Sequence, residues 1–435
     1  GTAGVSFSGS NRRVVIVGAG AAGDAAAEAL RKAGFDGPVS LVGAERHVAY
    51  HRPYLSKQFL RGEVPLERVH LRHAEAYDHL GIEWLGGRTA VAGSRRNRSI
   101  TLDDGRELRF DVLVLATGGT PRWPEGVPRL DNVLALRTLD DGVALGEALA
   151  RSRRLLVMGA GFIGAEVAAS ARVLGKEALV VELAPVPLAR VLGEDMGEVY
   201  ARVHRERGVD LRLSTSVVEW IPEGDHVAGV RLSDGTREEV DLVLVAAGIQ
   251  PELSLAGELE LPLGAGGVLV DETLQAAPDV YCAGDIAAHR HPVYGRHLRV
   301  EHWQVARKQG QAIGQAIATG PRPYEELPWF WSDQYDVNLQ YLGHAAGFDR
   351  SVWRGDTSSG HFSVFYLKDE RLEAVLAVND ARTIRLSRDL ITQRPRLSAY
   401  ALLDETADLR ELARSYAHTT NGARAPEKEV FSHGE

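Results

Sequence analysis

Cysteine is almost absent from this chain, which has 435 residues and only Cys282 as a thiol. A single cysteine excludes an intramolecular disulfide, a CxxC redox pair and a cysteine-rich zinc or iron-sulfur site. Any redox chemistry must therefore come from a bound cofactor, and no metal site is expected. A reducing compartment fits this composition, and no signal-peptide pattern opens the sequence, so a cytoplasmic location is expected.

Long apolar runs and an excess of positive charge are also missing. No apolar run approaches the roughly 20 residues that a membrane-spanning helix needs, so no membrane partner is expected. The formal net charge of -9 argues against general nucleic-acid binding, because affinity for phosphates depends on a surplus of lysine and arginine. The length predicts two or three domains.

The chain does contain one sequence design twice: an apolar strand, a glycine-rich turn and an alanine-rich helix. The strands are Val14–Val17 and Leu155–Met158, and each precedes a GxGxxG turn. The first glycine permits a tight turn, the second lets the backbone approach a pyrophosphate, and the third brings helix and strand together. The helix N-terminus binds the phosphates. The candidate positions are Gly18, Gly20, Ala22 and Gly23 in the first copy, and Gly159, Gly161, Phe162, Ile163 and Gly164 in the second.

A second apolar strand follows each helix, Val39–Val42 in the first copy and Ala178–Val181 in the second. In the second copy this strand ends in Glu182, whose carboxylate would accept hydrogen bonds from the adenosine ribose and repel a 2′-phosphate. The second copy should therefore prefer NADH to NADPH, although a solvated glutamate at a strand end is the alternative. In the first copy, either Glu45 reaches back to a ribose or the Ala44 backbone makes that contact.

Three later segments are predicted to place residues at the carboxyl ends of strands in the same two sheets. Apolar strands Val112–Thr117 and Leu242–Ala247 end in glycine turns at Gly118 and Gly248, and a third strand leads to Asp285. Ligands of Rossmann folds bind at the carboxyl ends of such strands. These segments are therefore predicted to complete the two nucleotide sites.

The texture of the sequence changes after Pro323. Alternating aromatic stretches, Phe330–Tyr335 and Phe362–Leu367, predict a separate antiparallel sheet. The glycine- and serine-rich opening, Gly1–Ser10, is expected to be a flexible leader, and the polar residues 419–435 a flexible tail.

With these motifs assembled, the chain resembles the flavoprotein ferredoxin reductases that serve bacterial ring-hydroxylating dioxygenases and cytochromes P450. These belong to the glutathione-reductase-like class, with apoptosis-inducing factor as a more distant relative. The resemblance implies an α/β fold with two Rossmann-like domains, for FAD and NAD, and a C-terminal α+β domain. The implied segments are 11–120 and 247–324 for FAD, 121–246 for NAD and 325–418 for the last domain. The motifs are Tyr50–Lys57, Ala116–Gly119, Tyr281–Asp285, Val300–Trp303 and Phe330–Tyr335.

The resemblance also implies three candidate catalytic residues. Lys57 would lie beside the flavin, paired with Glu166, and Trp303 would stack near the flavin and the nicotinamide. A cation at the flavin edge stabilises the reduced anionic form, and a buried carboxylate keeps that cation charged. The alternatives are a solvated lysine, a glutamate that interacts with the helix dipole, and a core tryptophan.

Further residues are implied in cofactor binding. Arg52 and Arg122 would contact the diphosphate or adenosine half of FAD, and Asp285 would bind the ribitol. The family usually has an acidic residue at the position of Ala44. The other implied positions are Ala44, Glu45, Ala90, Ala116, Thr117, Gly118, Gly248, Gly284, Glu301, His302 and Arg190.

The implied activity is hydride transfer from NADH to FAD, followed by single-electron transfer to a small [2Fe-2S] ferredoxin, in a monomer or homodimer. A disulfide reductase of this fold needs a cysteine pair that the chain lacks, and an NADH oxidase or peroxidase needs an early cysteine. A redox-signalling flavoprotein like apoptosis-inducing factor is the other alternative. Four basic residues near Trp303 form either a ferredoxin-docking rim or scattered solvated charges: Arg296, Arg299, Arg307 and Lys308.

Overall fold

The computed structural model describes residues 11–422, which form two compact units. The first unit contains the described residues up to Glu326 together with Ser332–Asp336. The second contains Leu327–Trp331 and the described residues from Val337 onward. The expected leader Gly1–Ser10 and most of the expected tail lie outside the described residues. Among residues 11–422, no helix has both the length and the apolar character needed to cross a bilayer.

The first glycine turn lies in a six-stranded sheet. Its central strand pairs in parallel with both neighbours, so that Val14 lies opposite Val39 on one side and Val112 on the other. Three of its strands are entirely buried, as expected where helices cover both faces of a parallel sheet. In spatial order the strands are β20 (Gln275–Ala277), β21 (Val280–Cys282), β7 (Val112–Leu115), β1 (Val14–Val17), β2 (Val39–Gly43) and β3 (Ile82–Gly86).

Two helices of this layer pack with backbones in close approach, α1 (Ala21–Lys32) and α9 (Trp303–Thr319). A Cβ added at Gly310 would lie 2.2 Å from the Ala22 carbonyl oxygen, and one at Gly314 would lie 2.6 Å from that of Ala26. Glycine at these two positions of α9 is therefore what allows the helix to lie against α1.

The second glycine turn lies in a five-stranded sheet in which every pairing is parallel. The strand after the turn's helix pairs in parallel with the strand before it, as in a βαβ unit. In spatial order the strands are β12 (Asp210–Arg212), β11 (Glu177–Val181), β10 (Arg154–Met158), β16 (Leu242–Val245) and β9 (Val133–Ala135).

Several smaller sheets complete the first unit. Two are antiparallel three-stranded meanders that the sequence analysis did not predict. They are β4 (Ala90–Ser94), β5 (Ser99–Leu102) and β6 (Glu107–Arg109), and β13 (Val217–Glu223), β14 (His226–Leu232) and β15 (Arg237–Glu239). The others are β8 (Gly119–Pro121) with β17 (Ile249–Pro251), and β18 (Leu263–Gly264), β19 (Gly267–Val270), β22 (Ala287–His291) and β23 (Arg296–Leu298).

Short and medium-length helices connect these strands. The α-helices are α2 (Leu66–Val69), α3 (Glu75–His79), α4 (Leu139–Arg151), α5 (Phe162–Val173), α6 (Ala189–Leu192), α7 (Glu194–Glu206) and α8 (Ser254–Glu258). Two 3-10 turns matter for the site, Arg52–Ser56 and Gly284–Ile286.

The second unit is organised on a five-stranded sheet. In spatial order the strands of this sheet are β24 (Trp329–Gln334), of which only Trp329–Trp331 belong to the second unit, β25 (Val337–Gly343), β28 (Arg371–Val378), β27 (His361–Lys368) and β26 (Arg350–Asp356). The pairings among the last four are antiparallel. Three helices follow, α10 (Ala381–Gln393), α11 (Ala399–Leu403) and α12 (Leu409–Gly422). The last helix continues into the segment expected to be a tail from residue 419.

The predicted fold class is confirmed: two Rossmann-like sheets, the first parallel apart from the antiparallel edge pair β20–β21 and the second parallel throughout, and a C-terminal unit with an antiparallel sheet. Strand Val14–Val17 has its predicted bounds. The strand predicted over Val112–Thr117 ends earlier, at Leu115, and the one over Leu242–Ala247 ends at Val245. In both cases the chain then turns through a glycine with positive φ, Gly118 and Gly248.

Candidate functional site

The first glycine turn requires glycine at two positions. Gly18 has φ +109°, and a Cβ there would lie 1.9 Å from the carbonyl oxygen of Ala116. A Cβ at Gly23 would lie 1.6 Å from the carbonyl oxygen of Gly18. Gly20 is the N-cap of α1 and no side chain caps that helix. The N-terminal N–H groups of α1 are therefore free of side-chain acceptors.

The second turn repeats this geometry. Gly159 has φ +104°, and a Cβ there would lie 2.2 Å from the Ala246 carbonyl oxygen. A Cβ at Gly164 would lie 2.0 Å from the carbonyl oxygen of Gly159. Gly161 is the N-cap of α5, which again has no side-chain cap, and the space beside its Cα is open.

These two helix ends fit the diphosphates of two dinucleotides. Uncapped N–H groups at a helix start bind anions, and the glycines leave room for close backbone approach. The first residues after Gly161 are Phe162 and Ile163. Ile163 is apolar but 44% exposed. Ala22 is buried within α1.

The edge of the first sheet carries Asp285, in the 3-10 turn that follows β21. Its Oδ2 accepts a hydrogen bond from Nη2 of Arg137 over 2.7 Å. The N–H of Gly284 donates to Oε1 of Gln309 over 2.8 Å. Neither Arg137 nor Gln309 was predicted from the sequence. Neither belongs to a quoted motif, and only three-dimensional contact reveals them.

Glu45, the candidate acid after the first glycine turn, already binds protein groups. The Tyr50 hydroxyl donates to both Glu45 oxygens, at 2.8 and 2.9 Å, and the Arg52 guanidinium lies 3.8 Å from Glu45. Burial raises the pKa of the Tyr50 hydroxyl, the Glu45 carboxylate adds to this effect, and the tyrosine remains a donor. Arg52 also donates to the Arg137 carbonyl oxygen. Ala44, by contrast, is exposed at the end of β2.

Thr117 and Arg122, both predicted to contribute to cofactor binding, donate to backbone oxygens within residues 248–252. Thr117 Oγ1 donates to the Glu252 carbonyl oxygen over 2.9 Å, and Arg122 Nε donates to that of Ile249 over 2.9 Å. The Arg122 N–H donates to the carbonyl oxygen of Gly248. Ala90 begins β4 and packs against the core of the first sheet.

Lys57 and Glu166 come together in the interior. Lys57 Nζ lies 3.3 Å from Glu166 Oε1, and the two side chains are 3% and 5% exposed. Ser56 Oγ donates to the same oxygen over 2.7 Å. A buried charge pair persists only when its remaining hydrogen-bonding capacity is satisfied. Glu166 lies five residues after Gly161, so the pair joins the Arg52–Ser56 turn to the helix of the second glycine turn.

Trp303 is the first residue of α9, and its surroundings are polar. Its Nε1 is buried and has no hydrogen-bond partner among residues 11–422. The His51 ring lies 5.4 Å from its ring, and the Arg307 guanidinium 5.7 Å. His302 is the N-cap of α9, and Glu301 is paired with Arg299 over 2.9 Å. The indole N–H is a buried donor that a bound cofactor could satisfy.

At the second turn, Glu182 faces the glycine loop. Its Oε1 accepts a hydrogen bond from the Ala160 N–H at 3.3 Å. This places the carboxylate at the mouth of the second turn, where the sequence predicts an adenosine ribose. Arg190 lies exposed in the short helix α6.

The chain's one cysteine does not reach this site as a reactive thiol. Cys282 is 0% exposed in β21, and burial raises the pKa of its thiol. A buried neutral thiol is a poor nucleophile.

The four basic residues considered as a ferredoxin-docking rim differ in their burial and in their partners. Arg307 donates from Nη1 to Oδ2 of the fully buried Asp24 over 2.9 Å and is 14% exposed. Arg299 is bound by Glu301 and by the Asp285 carbonyl oxygen. Arg296 lies 5.5 Å over the Tyr294 ring. Lys308 is the exposed member of the four.

Comparison with known proteins gives one consistent result. Residues 12–310 match the family model described as pyridine nucleotide-disulphide oxidoreductase, and residues 329–413 match one described as reductase C-terminal. The chain is 37% identical over 410 residues to putidaredoxin reductase CamA of Pseudomonas putida, which covers 92% of this chain and 97% of that protein.

Two further comparisons agree with it. The ferredoxin--NAD(+) reductase component of the anthranilate 1,2-dioxygenase system of Burkholderia cepacia is 39% identical over 404 residues, 91% of this chain and 98% of that protein. The structure superposes on the reductase in the crystal structure of the covalent putidaredoxin reductase-putidaredoxin complex with a TM-score of 0.89 and 37% identity. That match covers 94% of this chain and 99% of the other.

Proposed function

This chain belongs to the pyridine nucleotide-disulphide oxidoreductase family, and from that premise we propose that it is an FAD-containing, NADH-dependent ferredoxin reductase. Relatives of nearly full length are named putidaredoxin reductase and ferredoxin--NAD(+) reductase components. The disulfide chemistry in the family's name needs a cysteine pair, and this chain has the single buried Cys282. Electrons must therefore leave through another carrier.

The observation that carries the proposal is the buried Lys57–Glu166 pair. Lys57 lies just after the Arg52–Ser56 turn, and Glu166 lies in the helix that begins at the second glycine turn. Two dinucleotides bound at the two turns would bring their reactive rings toward this pair. Bound FAD would accept a hydride from NADH and release electrons one at a time.

The chain's own residues bind and orient that cofactor. Asp285, held by Arg137, is an acceptor for the ribitol hydroxyls, and the α1 N-terminus holds the diphosphate. The Trp303 indole N–H is a free buried donor in the same region of the first unit. Lys57 supplies a buried positive charge, and the Glu166 carboxylate lies 3.3 Å from its ammonium group. The two glycine turns thus each hold one nucleotide.

The domain boundaries are part of the proposal. Strands β1, β2, β3 and β7 share a sheet with β20 and β21, so residues 11–120 and 247–324 would form one FAD domain. The all-parallel second sheet lies within residues 121–246, the proposed NAD domain. Residues 325–418 would form the C-terminal domain.

The proposed electron acceptor is a small [2Fe-2S] ferredoxin, and the protein is proposed to act as a monomer or homodimer. A ferredoxin partner is supported by the names of the relatives and by the complex with putidaredoxin that one of them forms. A single-electron carrier suits a site without a redox-active disulfide, because the flavin can release its two electrons in separate steps.

Anaerobic reduction of the purified yellow protein tests the proposal. One equivalent of NADH should bleach the flavin absorbance, and an oxidised [2Fe-2S] ferredoxin should then restore it within the time of turnover. A protein without flavin would exclude this function. So would a reduced flavin that is reoxidised no faster with ferredoxin than in buffer without it. The second result would favour a redox-signalling flavoprotein instead.

A further inference from the structure

A line of polar side chains leads away from Glu166 through the interior of the first unit. Ser332 Oγ lies 2.6 Å from Glu166 Oε2, and Gln334 Nε2 lies 3.3 Å from Ser332 Oγ. His204 Nε2 lies 2.8 Å from Gln334 Oε1, and its Nδ1 lies 3.0 Å from the Tyr335 hydroxyl. All five residues belong to the same compact unit.

The line is removed from solvent over most of its length. Ser332 and Gln334 are 0% exposed, and His204 and Glu166 are also buried. Buried polar groups are costly unless each is hydrogen-bonded, and linked bonds in a low dielectric strengthen one another. Burying a line of four consecutive hydrogen bonds that ends on the Glu166 carboxylate is therefore costly, and this cost indicates a functional role for the line.

Glu166 fixes which group donates and which accepts in every hydrogen bond of this line of side chains. An ionised carboxylate can only accept, so the single proton of Ser332 Oγ must point to it. Ser332 must then accept from Gln334 Nε2, which turns Gln334 Oε1 toward His204. His204 must therefore carry its proton on Nε2, and its bare Nδ1 accepts from the Tyr335 hydroxyl. Every donor in the chain points toward Glu166.

The charge states of the outer members agree with this direction. Burial lowers the pKa of His204 and outweighs the opposing effect of its bond to Gln334, so the imidazole is neutral near pH 7. Burial raises the pKa of Tyr335, although Arg172 and Arg207 oppose the shift. Tyr335 is therefore a protonated donor.

We propose that Ser332, Gln334 and His204 are positioning residues that hold Glu166 as an ionised, oriented partner of Lys57. The inference rests on the proposed function, because it concerns the residue pair at that reduction site. Ser332 occupies Oε2 of Glu166, which leaves Oε1 to Lys57 and Ser56, at 3.3 and 2.7 Å. The carboxylate is thus divided between one charged and two hydroxyl donors.

The proposal makes a specific structural prediction for Glu166→Gln. The amide oxygen should stay with Lys57 and Ser56, so the amide N–H would face Ser332 in place of Oε2. Ser332 would then donate to Gln334, whose side chain would flip and donate to His204 Nε2. The imidazole proton would move to Nδ1, so the donor and the acceptor would exchange in every hydrogen bond of the line.

Nitrogen-15 NMR of histidine-labelled protein, flavin-loaded as purified, tests this reversal. The His204 signal is assigned by its loss in a His204→Gln variant. We expect a neutral imidazole protonated at Nε2 in the wild type and at Nδ1 in Glu166→Gln. A wild-type proton on Nδ1, or the same tautomer in both proteins, would overturn the proposal. This readout requires no electron transfer, so it remains decisive if the proposed function fails.

A redox titration tests the consequence for the site. Without the Ser332 donor, the unbalanced Glu166 carboxylate should draw the Lys57 ammonium closer and leave less positive charge for the reduced cofactor. Ser332→Ala should therefore lower the reduced-to-oxidised flavin ratio about tenfold at fixed potential, about 30 mV for a two-electron couple. Ser332→Thr, which keeps the hydroxyl, should restore the wild-type value.

Two controls make that titration specific. Ser387→Ala removes an equally buried serine hydroxyl in the second unit, and it should leave the flavin potential unchanged. In a Glu166→Gln background, Ser332→Ala should cause no further shift. An unshifted potential in Ser332→Ala, or an equal shift in the Glu166→Gln background, would refute the positioning role. Protein that binds no flavin or ignores NADH would instead refute the proposed function.

Discussion

Arg137 and Asp285 form an ion pair at the edge of the first sheet, 2.7 Å between Nη2 and Oδ2, although 148 residues separate them in the chain. Their side chains are 19% and 12% exposed. The guanidinium orients the carboxylate, and a Cβ added at Gly118 would lie 3.3 Å from Arg137 Nη2. Asp285 is thus a preorganised acceptor beside the first nucleotide turn.

Replacing Asp285 by Ala should lower flavin occupancy. A polar partner left unsatisfied in a site of low water content costs about 1–3 kcal/mol, which corresponds to roughly 5- to 150-fold weaker binding. Flavin released by heat from purified protein, per mole of chain, measures the effect. Asp279→Ala is the control, because Asp279 lies just before the same strand and is 45% exposed. Full flavin content in Asp285→Ala would contradict the assignment.

Replacing Glu182 by Ser should narrow the preference for NADH over NADPH about tenfold. The carboxylate lies at the mouth of the second turn, beside the Ala160 N–H, and would repel a 2′-phosphate. The ratio of kcat/KM for the two coenzymes is the measurement. Glu177→Ser, at the exposed start of the same strand, should leave the ratio unchanged. A wild-type protein that uses both coenzymes equally well would be inconsistent with this role.

Replacing Lys57 by Met should lower the flavin midpoint potential and slow flavin reduction by NADH, at least tenfold. The change removes a buried positive charge, and reduced flavin is anionic. Stopped-flow absorbance and a redox titration measure the two effects. Lys32→Met is a matched control because Lys32 is 74% exposed and pairs with Glu28 in its own helix. An unaltered potential and rate would make Lys57 an ordinary structural residue.

The elements around the glycine turns were predictable because their signals are local. The strand Val14–Val17 was predicted with its observed bounds, and β11 and β10 each begin one residue earlier than predicted. The two antiparallel meanders, such as Ala90–Arg109, were missed. Their strands are only 3–7 residues long, and several face solvent on both sides, so they lack a clear two-residue alternation.

The candidate site was predictable only where a motif marks it. Lys57 and Glu166 were paired through the family resemblance, and the structure brings them to 3.3 Å. Arg137 and Ser332 reach the site from 148 and 166 residues away along the chain. Contacts at such separations depend on how whole strands and helices are placed, so no local pattern in one sequence indicates them.

Acid should destabilise the protein partly through Glu28. Burial opposes ionisation of Glu28, but hydrogen bonds from Lys32 and Arg72 outweigh it and lower its pKa from 4.5 to about 2. A carboxylate whose pKa is lower in the folded state stabilises the fold above the unfolded pKa. That contribution is lost as the pH falls from about 4.5 toward about 2. The melting temperatures of wild type and Glu28→Gln should differ at pH 6 and converge in this range, and a constant gap would argue against it.

The docking surface for ferredoxin gives the last prediction, and the structure separates two neighbours on α9. Arg307 binds the buried Asp24, whereas Lys308 is exposed. Acidic ferredoxins are steered by exposed basic charge, so Lys308→Glu should slow ferredoxin reduction severalfold. It should leave NADH oxidation by a small neutral dye unchanged.

Arg307→Glu should behave differently, because it places a second carboxylate against Asp24. Breaking a buried ion pair costs about 3–5 kcal/mol, so this variant should lose stability and both activities together. Salt separates the two effects further. Ferredoxin turnover by the wild type should fall as ionic strength rises, with the Debye length ~10 Å at 0.1 M, and Lys308→Glu should flatten that dependence. Equal loss of the ferredoxin and dye reactions in Lys308→Glu would remove Lys308 from the docking surface.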